Sequence, residues 1–165
     1  MISFIEAFKR ELADEAKETK RMLERVPVEK HHWQPHPKSM KLGVLAFHLA
    51  EIPDMIEKAV LSDKWDFAEV ESWEAKVFET NEALVHHFEN SVKKAKEALE
   101  QSKDEILLKK WKLCTGEVIH LEMEKWEAVR HAFGQNAHHR AQLGVFLRLL
   151  DIPIPGPYGP SADEM

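Results

Sequence analysis

This chain is poor in cysteine, tyrosine and glycine: 165 residues carry one, one and six of them. The lone Cys114 excludes an intramolecular disulfide framework and a cysteine-rich zinc site. Cations are short as well. With 23 Lys and Arg against 29 Asp and Glu, the formal charge is −6, so no surplus exists to displace counterions from a phosphate backbone, and no nucleic-acid partner is expected. Long apolar runs are missing too. The stretch from Val44 to Leu61 is interrupted by His48, Glu51, Pro53, Asp54, Glu57 and Lys58, and falls short of the roughly 20 residues that cross a bilayer. Nothing at the start reads as a secretory signal, so the expectation is a cytoplasmic protein with no membrane partner. What the chain does have is 44% apolar residues, enough for a single domain over 1–165 with its own core, and ten histidines.

Proline and glycine punctuate the chain at Pro27, at Pro35 to Pro37, at Gly116 and beyond Asp151. Between these points the apolar residues keep helical spacing. Ile5, Phe8, Leu12, Ala16, Thr19 and Leu23 predict a first helix over Ile2 to Arg25. A second is expected from Ser39 to Leu61, kinked at Pro53, and a third from Trp73 to Gln101. The fourth should run from Lys125 to Leu150, where Pro153 and Pro155 end it. Ser62 to Ser72 reads as a crossover, and Ile106 to Met123, around Thr115-Gly116, as a short hairpin or extended loop. The expected fold is an all-α four-helix bundle with an irregular tail over 153–165. Its crossover is long enough to let helices two and three run parallel.

Two histidines point into this bundle. At about 100° per residue, Val44, Met55, Ile52 and Leu45 all lie within roughly 60° of His48. On the fourth helix, Ala128, Ala132, Phe146 and Leu150 lie within about 20° of His139, whereas His138 falls off the stripe. An inward imidazole needs a hydrogen-bond partner or a metal, because an unsatisfied buried nitrogen costs roughly 1–3 kcal/mol. The residue chemistry leaves both readings open. The position one turn from His139, where a chelating partner belongs, is Gln135, whose amide oxygen is a weaker ligand than imidazole. His131 lies about 12 Å of helix rise from His139 and approaches only through water or behind a ligand. The other histidines, His31, His32, His36, His86, His87 and His120, are expected to be mostly solvated. Glu51 sits at the edge of the His48 stripe, as a ligand-orienting group, a base for water or a simple edge residue.

Three stretches, RMLERVP, HHWQPHPKSMKLGVLAFHLAE and NAHHRAQLGVFLRLLDIPIPGPYGPSADE, make the chain resemble the DinB-like family, grouped with the YfiT-like metal-dependent hydrolases. The resemblance implies an up-down-down-up bundle, commonly a homodimer, with an ion held by one histidine of helix two and a His-x3-His pair of helix four. His48 matches the first ligand and His139 the last; the middle position falls on Gln135, where this chain departs from the pattern. Three outcomes follow: Gln135 completes a weakened site, another group or water substitutes, or the site is degenerate. The implied cofactors are a divalent transition metal (zinc, nickel or iron) and a low-molecular-weight thiol. The implied reaction is metal-dependent transfer of that thiol to a small electrophile in stress or detoxification, with Arg140 and the tail helping to position the anionic cofactor. A metal-dependent hydrolase using Glu51 as base is the second reading, although no H-E-x-x-H motif is present. A non-catalytic dimeric binding module is the third. Metal binding is expected to weaken as imidazoles protonate near roughly pH 6.5.

Overall fold

The computed structural model describes residues 3–69 and 75–165. Four long helices are present: α1 (Phe4–Leu23), α2 (Leu42–Leu61), α3 (Asn81–Glu100) and α5 (Lys125–Leu149). A one-turn α4 (Asp104–Leu107), three strands, β1 (Lys64–Asp66), β2 (Lys110–Thr115) and β3 (Val118–Glu124), and two 3-10 turns over Val28–Lys30 and Phe67–Glu69 make up the other elements of the described residues. The all-α expectation is thereby corrected to a mostly helical fold carrying a small sheet. The crossover supplies β1, parallel to β2, and the Ile106 to Met123 segment closes into an antiparallel β2–β3 hairpin. Gly116, at φ +58°, turns that hairpin in a conformation that side chains with a Cβ resist.

Helix directions follow from cross-contacts. Phe8 of α1 packs on Phe133 of α5, and Thr19 bonds Asn136, so these two helices run together. Glu51 faces His87 and Asp54 faces Lys94, so α2 and α3 also run together. The two pairs are opposed, because the Asn81 amide at the start of α3 donates to Leu23 and Val26 carbonyls at the end of α1. The order is up, down, down, up. Leu23, Leu45, Leu49, Phe88, Leu99 and Leu147 lie in the shared core, with Trp111 of β2 fully buried against it.

Helix starts differ from the sequence expectation for local reasons. α1 begins behind Ser3, whose hydroxyl accepts from Glu6 N–H, while the Asp104 carboxylate accepts from Phe4 N, Ile5 N and Ser3 Oγ; the expected first residue, Ile2, lies outside the described residues. α2 starts at Leu42 rather than Ser39. Its first donors are taken by the preceding link, Leu42 N–H by Trp33 O and Gly43 N–H by His31 O. Gly43 is required there, since a Cβ would meet His31 Cβ at 2.8 Å. α3 begins at Asn81, capped by Thr80 Oγ1, so Val77 lies outside the helix and exposed; the expected start at Trp73 falls outside the described residues. Pro53 sits inside α2, which continues to Leu61.

Buried charges tie these elements together. Asp66 accepts from Gly116 N–H, Ala68 N–H and Lys64 Nζ, and those bonds, that of Gly116 foremost, push its carboxyl down to about 2. Lys125 Nζ donates to Val60 O at 3.2 Å and pairs with Asp63 at 3.0 Å, closing the end of α2. No described helix is long and apolar enough to cross a membrane.

Candidate metal centre

Antiparallel packing of α2 on α5 brings the two inward histidines together. The His48 and His139 rings stand edge to face with centroids 4.6 Å apart. Burial, followed by the neighbouring His139, pushes the His48 imidazole down to about 4. Burial also lowers His139, against the opposing pull of its Gln142 bond. Both rings therefore favour the neutral form, the state in which imidazole carries a lone pair for a metal.

Three amide and imidazole groups on α5 order this site. Gln142 Oε1 lies 2.9 Å from His139 Nδ1, and Gln135 Oε1 lies 2.9 Å from His139 Nε2. On the other side, Gln135 Nε2 is 3.3 Å from His131 Nε2. With His139 Nδ1–H donated to Gln142, Nε2 bears a lone pair that faces another lone-pair atom, the Gln135 oxygen. A neutral imidazole has one N–H to give, so His139 donates to one of these two oxygens, and the other contact is completed by a turned amide, by a second proton that burial disfavours, or by a cation. The donor set of two imidazoles and one amide oxygen, with a bond to Nδ1 that orients the ring, fits a borderline divalent ion. Among the described residues, no three His, Cys, Asp or Glu side chains are arranged to hold an ion; the third donor here is an amide.

The remaining sequence candidates are placed elsewhere. Glu51 Oε1 lies 3.7 Å from His87 Nε2 of α3. The Arg140 guanidinium, 1% exposed, pairs with Glu15 at 2.7 Å and also engages Thr19 and the Tyr158 hydroxyl. It thus binds α1 and the tail to α5. The tail folds back through Arg148–Asp163 and Arg21–Glu164 pairs and walls a groove of about 710 Å³ with Ala137, Ala141, Gly144 and Arg148. Those four stand within about 40° of the point opposite His139 on the helix, so the groove opens away from the histidine pair. His138 is exposed, as are His36, His86 and His120.

Sequence reasoning missed two residues here. His87 is not solvated as expected but half-buried, stacked on Phe47 at 5.5 Å and close to Phe78 at 5.4 Å, with its Nε2 lacking a hydrogen-bond partner. It shares a helix face with Leu84 and Ser91, both buried, and that spacing was visible in the sequence. Gln142 stands three residues after His139, on the same face, and was equally legible.

The chain belongs to the DinB family, whose profile matches residues 1–165. It is similar in fold to a DinB-like protein from Bacillus cereus, with 21% identity, a TM-score of 0.73 and coverage of 94% of this chain and 99% of the other. A DinB-like protein from Bacillus subtilis is similar at 16% identity and a TM-score of 0.71, covering 92% of this chain and 97% of that one. No curated protein matches the sequence.

Proposed function

We propose that this DinB-family protein is a metal-dependent enzyme that transfers a low-molecular-weight thiol to a small electrophile, with zinc, nickel or iron held by His48, Gln135 and His139. The reading rests on one observation: two imidazoles from separate helices meet at 4.6 Å with an amide oxygen 2.9 Å from His139 Nε2. A divalent ion there supplies Lewis acidity, which lowers the pKa of a thiol so that sulfur attacks at neutral pH. The chain's own groups do the rest. Burial keeps both rings unprotonated, Gln142 orients the His139 ring through Nδ1, and His131 aims the Gln135 amide inward. The protein acts in the cytoplasm, as a homodimer.

Two other readings remain distinct. The Glu51 carboxylate beside His87 favours a hydrolase in which Glu51 takes a proton from water. The engagement of both His139 nitrogens by side-chain amides favours a binding module that needs no ion. Elemental analysis of untagged protein, followed by assay of the metal-loaded form with bacillithiol, glutathione or mycothiol and a model electrophile, separates the three. Stoichiometric metal with metal-dependent conjugation supports the transferase, and stoichiometric metal with ester or amide cleavage alone supports the hydrolase. Absence of metal, with melting unchanged by added zinc, sinks both enzyme readings.

A further inference from the structure

His87 is a half-buried imidazole that the histidine pair leaves unused. It stands on α3 against the Phe47 and Phe78 rings, with centroids 5.5 and 5.4 Å away. Its Nε2 is closed off from water and has no hydrogen-bond partner among the described residues. Facing that nitrogen is a carboxylate, Glu51 Oε1 at 3.7 Å, beyond hydrogen-bond reach but within range of an ion pair. A ring kept only for packing has no need of this nitrogen, since phenylalanine would fill the space without leaving a polar atom unsatisfied.

Helical order on α2 sets this couple beside the candidate metal centre. Phe47, stacked on His87, directly precedes His48, and Glu51 follows His48 by three residues, which puts their Cβ atoms roughly 5–6 Å apart. At about 100° per residue, Glu51 lies between the two, some 60° from His48 and about 40° from Phe47. The carboxylate is therefore the step from the His48 ring to the His87 ring. Burial, foremost, holds the His87 imidazole below its ordinary value; Glu51 pulls it back up, Lys76 of the link before α3 pushes it down, and Asp54 and Lys94, themselves 3.4 Å apart, act in opposite directions. With its one proton on Nδ1, the neutral ring turns a lone pair toward Glu51.

We propose that His87 is the positioning residue of a Glu51–His87 proton store serving the histidine site: Glu51 takes the proton that a thiol gives up there, and His87 Nε2 holds it. This assignment rests on the thiol-transfer reading, and it gives the thiol proton a destination. The S–H bond breaks, the electron pair stays on sulfur, and an N–H bond forms at Nε2, leaving Glu51 anionic beside an imidazolium. The gap between them then closes to a charge-assisted hydrogen bond. Once sulfur has bonded to the electrophile, the proton returns through Glu51 to the leaving group or to solvent. Imidazole suits the task because it exchanges a proton near neutrality.

The tautomer is read first, on the metal-free full chain, by long-range proton–nitrogen NMR spectra of the histidine rings. An unprotonated Nε2 is expected in the neutral ring, and Glu51→Gln should make His87 lose its proton at a lower pH. A neutral ring with its proton on Nε2, or indifference to Glu51, overturns the proposal. Zinc-loaded protein is then titrated with 2-mercaptoethanol by calorimetry near pH 7, in buffers of different ionisation enthalpy. The unaltered chain should release almost no protons to buffer, and His87→Gln about one per thiol. His87→Phe should match His87→Gln, and it keeps the ring packing should the glutamine variant fold poorly. Conjugation of the same thiol to 1-chloro-2,4-dinitrobenzene should fall by about tenfold in either variant near pH 7 and recover by about pH 9, where solvent base takes the proton. Equal proton release by variants and unaltered chain, or an equal loss of rate at both pH values, overturns the store and leaves the thiol-transfer reading standing. Failure to bind zinc or the thiol sinks that reading and this assignment with it.

Discussion

His48 is driven down to about 4 because folding withdraws it from water and sets it against His139. In the unfolded chain the same ring takes its proton near 6.5. The unfolded state therefore binds more protons between those values, and stability falls as pH drops through that window, being fully present above it. Because the ring is only partly withdrawn from water, solvent screening reduces this contribution, and metal-free protein should lose about 1–2 kcal/mol between about pH 7 and about pH 4 from this group. Urea titrations across that range check it: His48→Leu should flatten the decline, and an unchanged slope would show that the ring is not the source. The same depression moves proton competition for a metal at His48 below the pH 6.5 expected of an ordinary imidazole. At Gln135 the prediction concerns ligand strength. Gln135→His should raise zinc affinity about tenfold or more, and His139→Ala should abolish binding, both read by competition with a chromophoric chelator. Equal affinity in the Gln135→His variant would remove position 135 from the site.

Between elements, the most fully buried ion pair among the described residues is Arg140–Glu15, which is 1% and 15% exposed at its two side chains. Removing one partner leaves a buried charge without its counterion. Arg140→Met should cost about 3–5 kcal/mol, whereas the double replacement Arg140→Met with Glu15→Leu should cost much less, because neither charge is then stranded. Thermal melts of the three variants check the difference; equal losses in the single and double variants would refute it. Arg140, which the family resemblance implied as a residue helping to position an anionic cofactor, makes this tie in the structure. Its position on α5 was plain from helical spacing, but the acid that meets it lies 125 residues earlier in the chain. The β2–β3 hairpin was legible through Gly116, whereas β1 was not: three residues in a crossover become a strand only because β2 stands beside them.

For the whole molecule, zinc binding to the folded state but not the unfolded one should raise the melting temperature. The gain is about 2.7 kcal/mol at a free zinc concentration 100 times the dissociation constant. His139→Ala should not respond, and calorimetry with and without zinc checks it; an equal shift in both proteins would place the ion elsewhere. The amino-acid sequence alone determined the four long helices, the inward faces of His48 and His139, and family membership, since these depend on periodicity and local pattern. The helix starts at Leu42 and Asn81 were hidden because their first donors or partners come from the preceding link and from the end of α1. Tertiary structure decided which side chains meet: His48 against His139, Glu51 toward His87, and Arg140 onto Glu15. Spacing sets the face of a helix on which a residue stands, but only packing among several helices determines what stands opposite it.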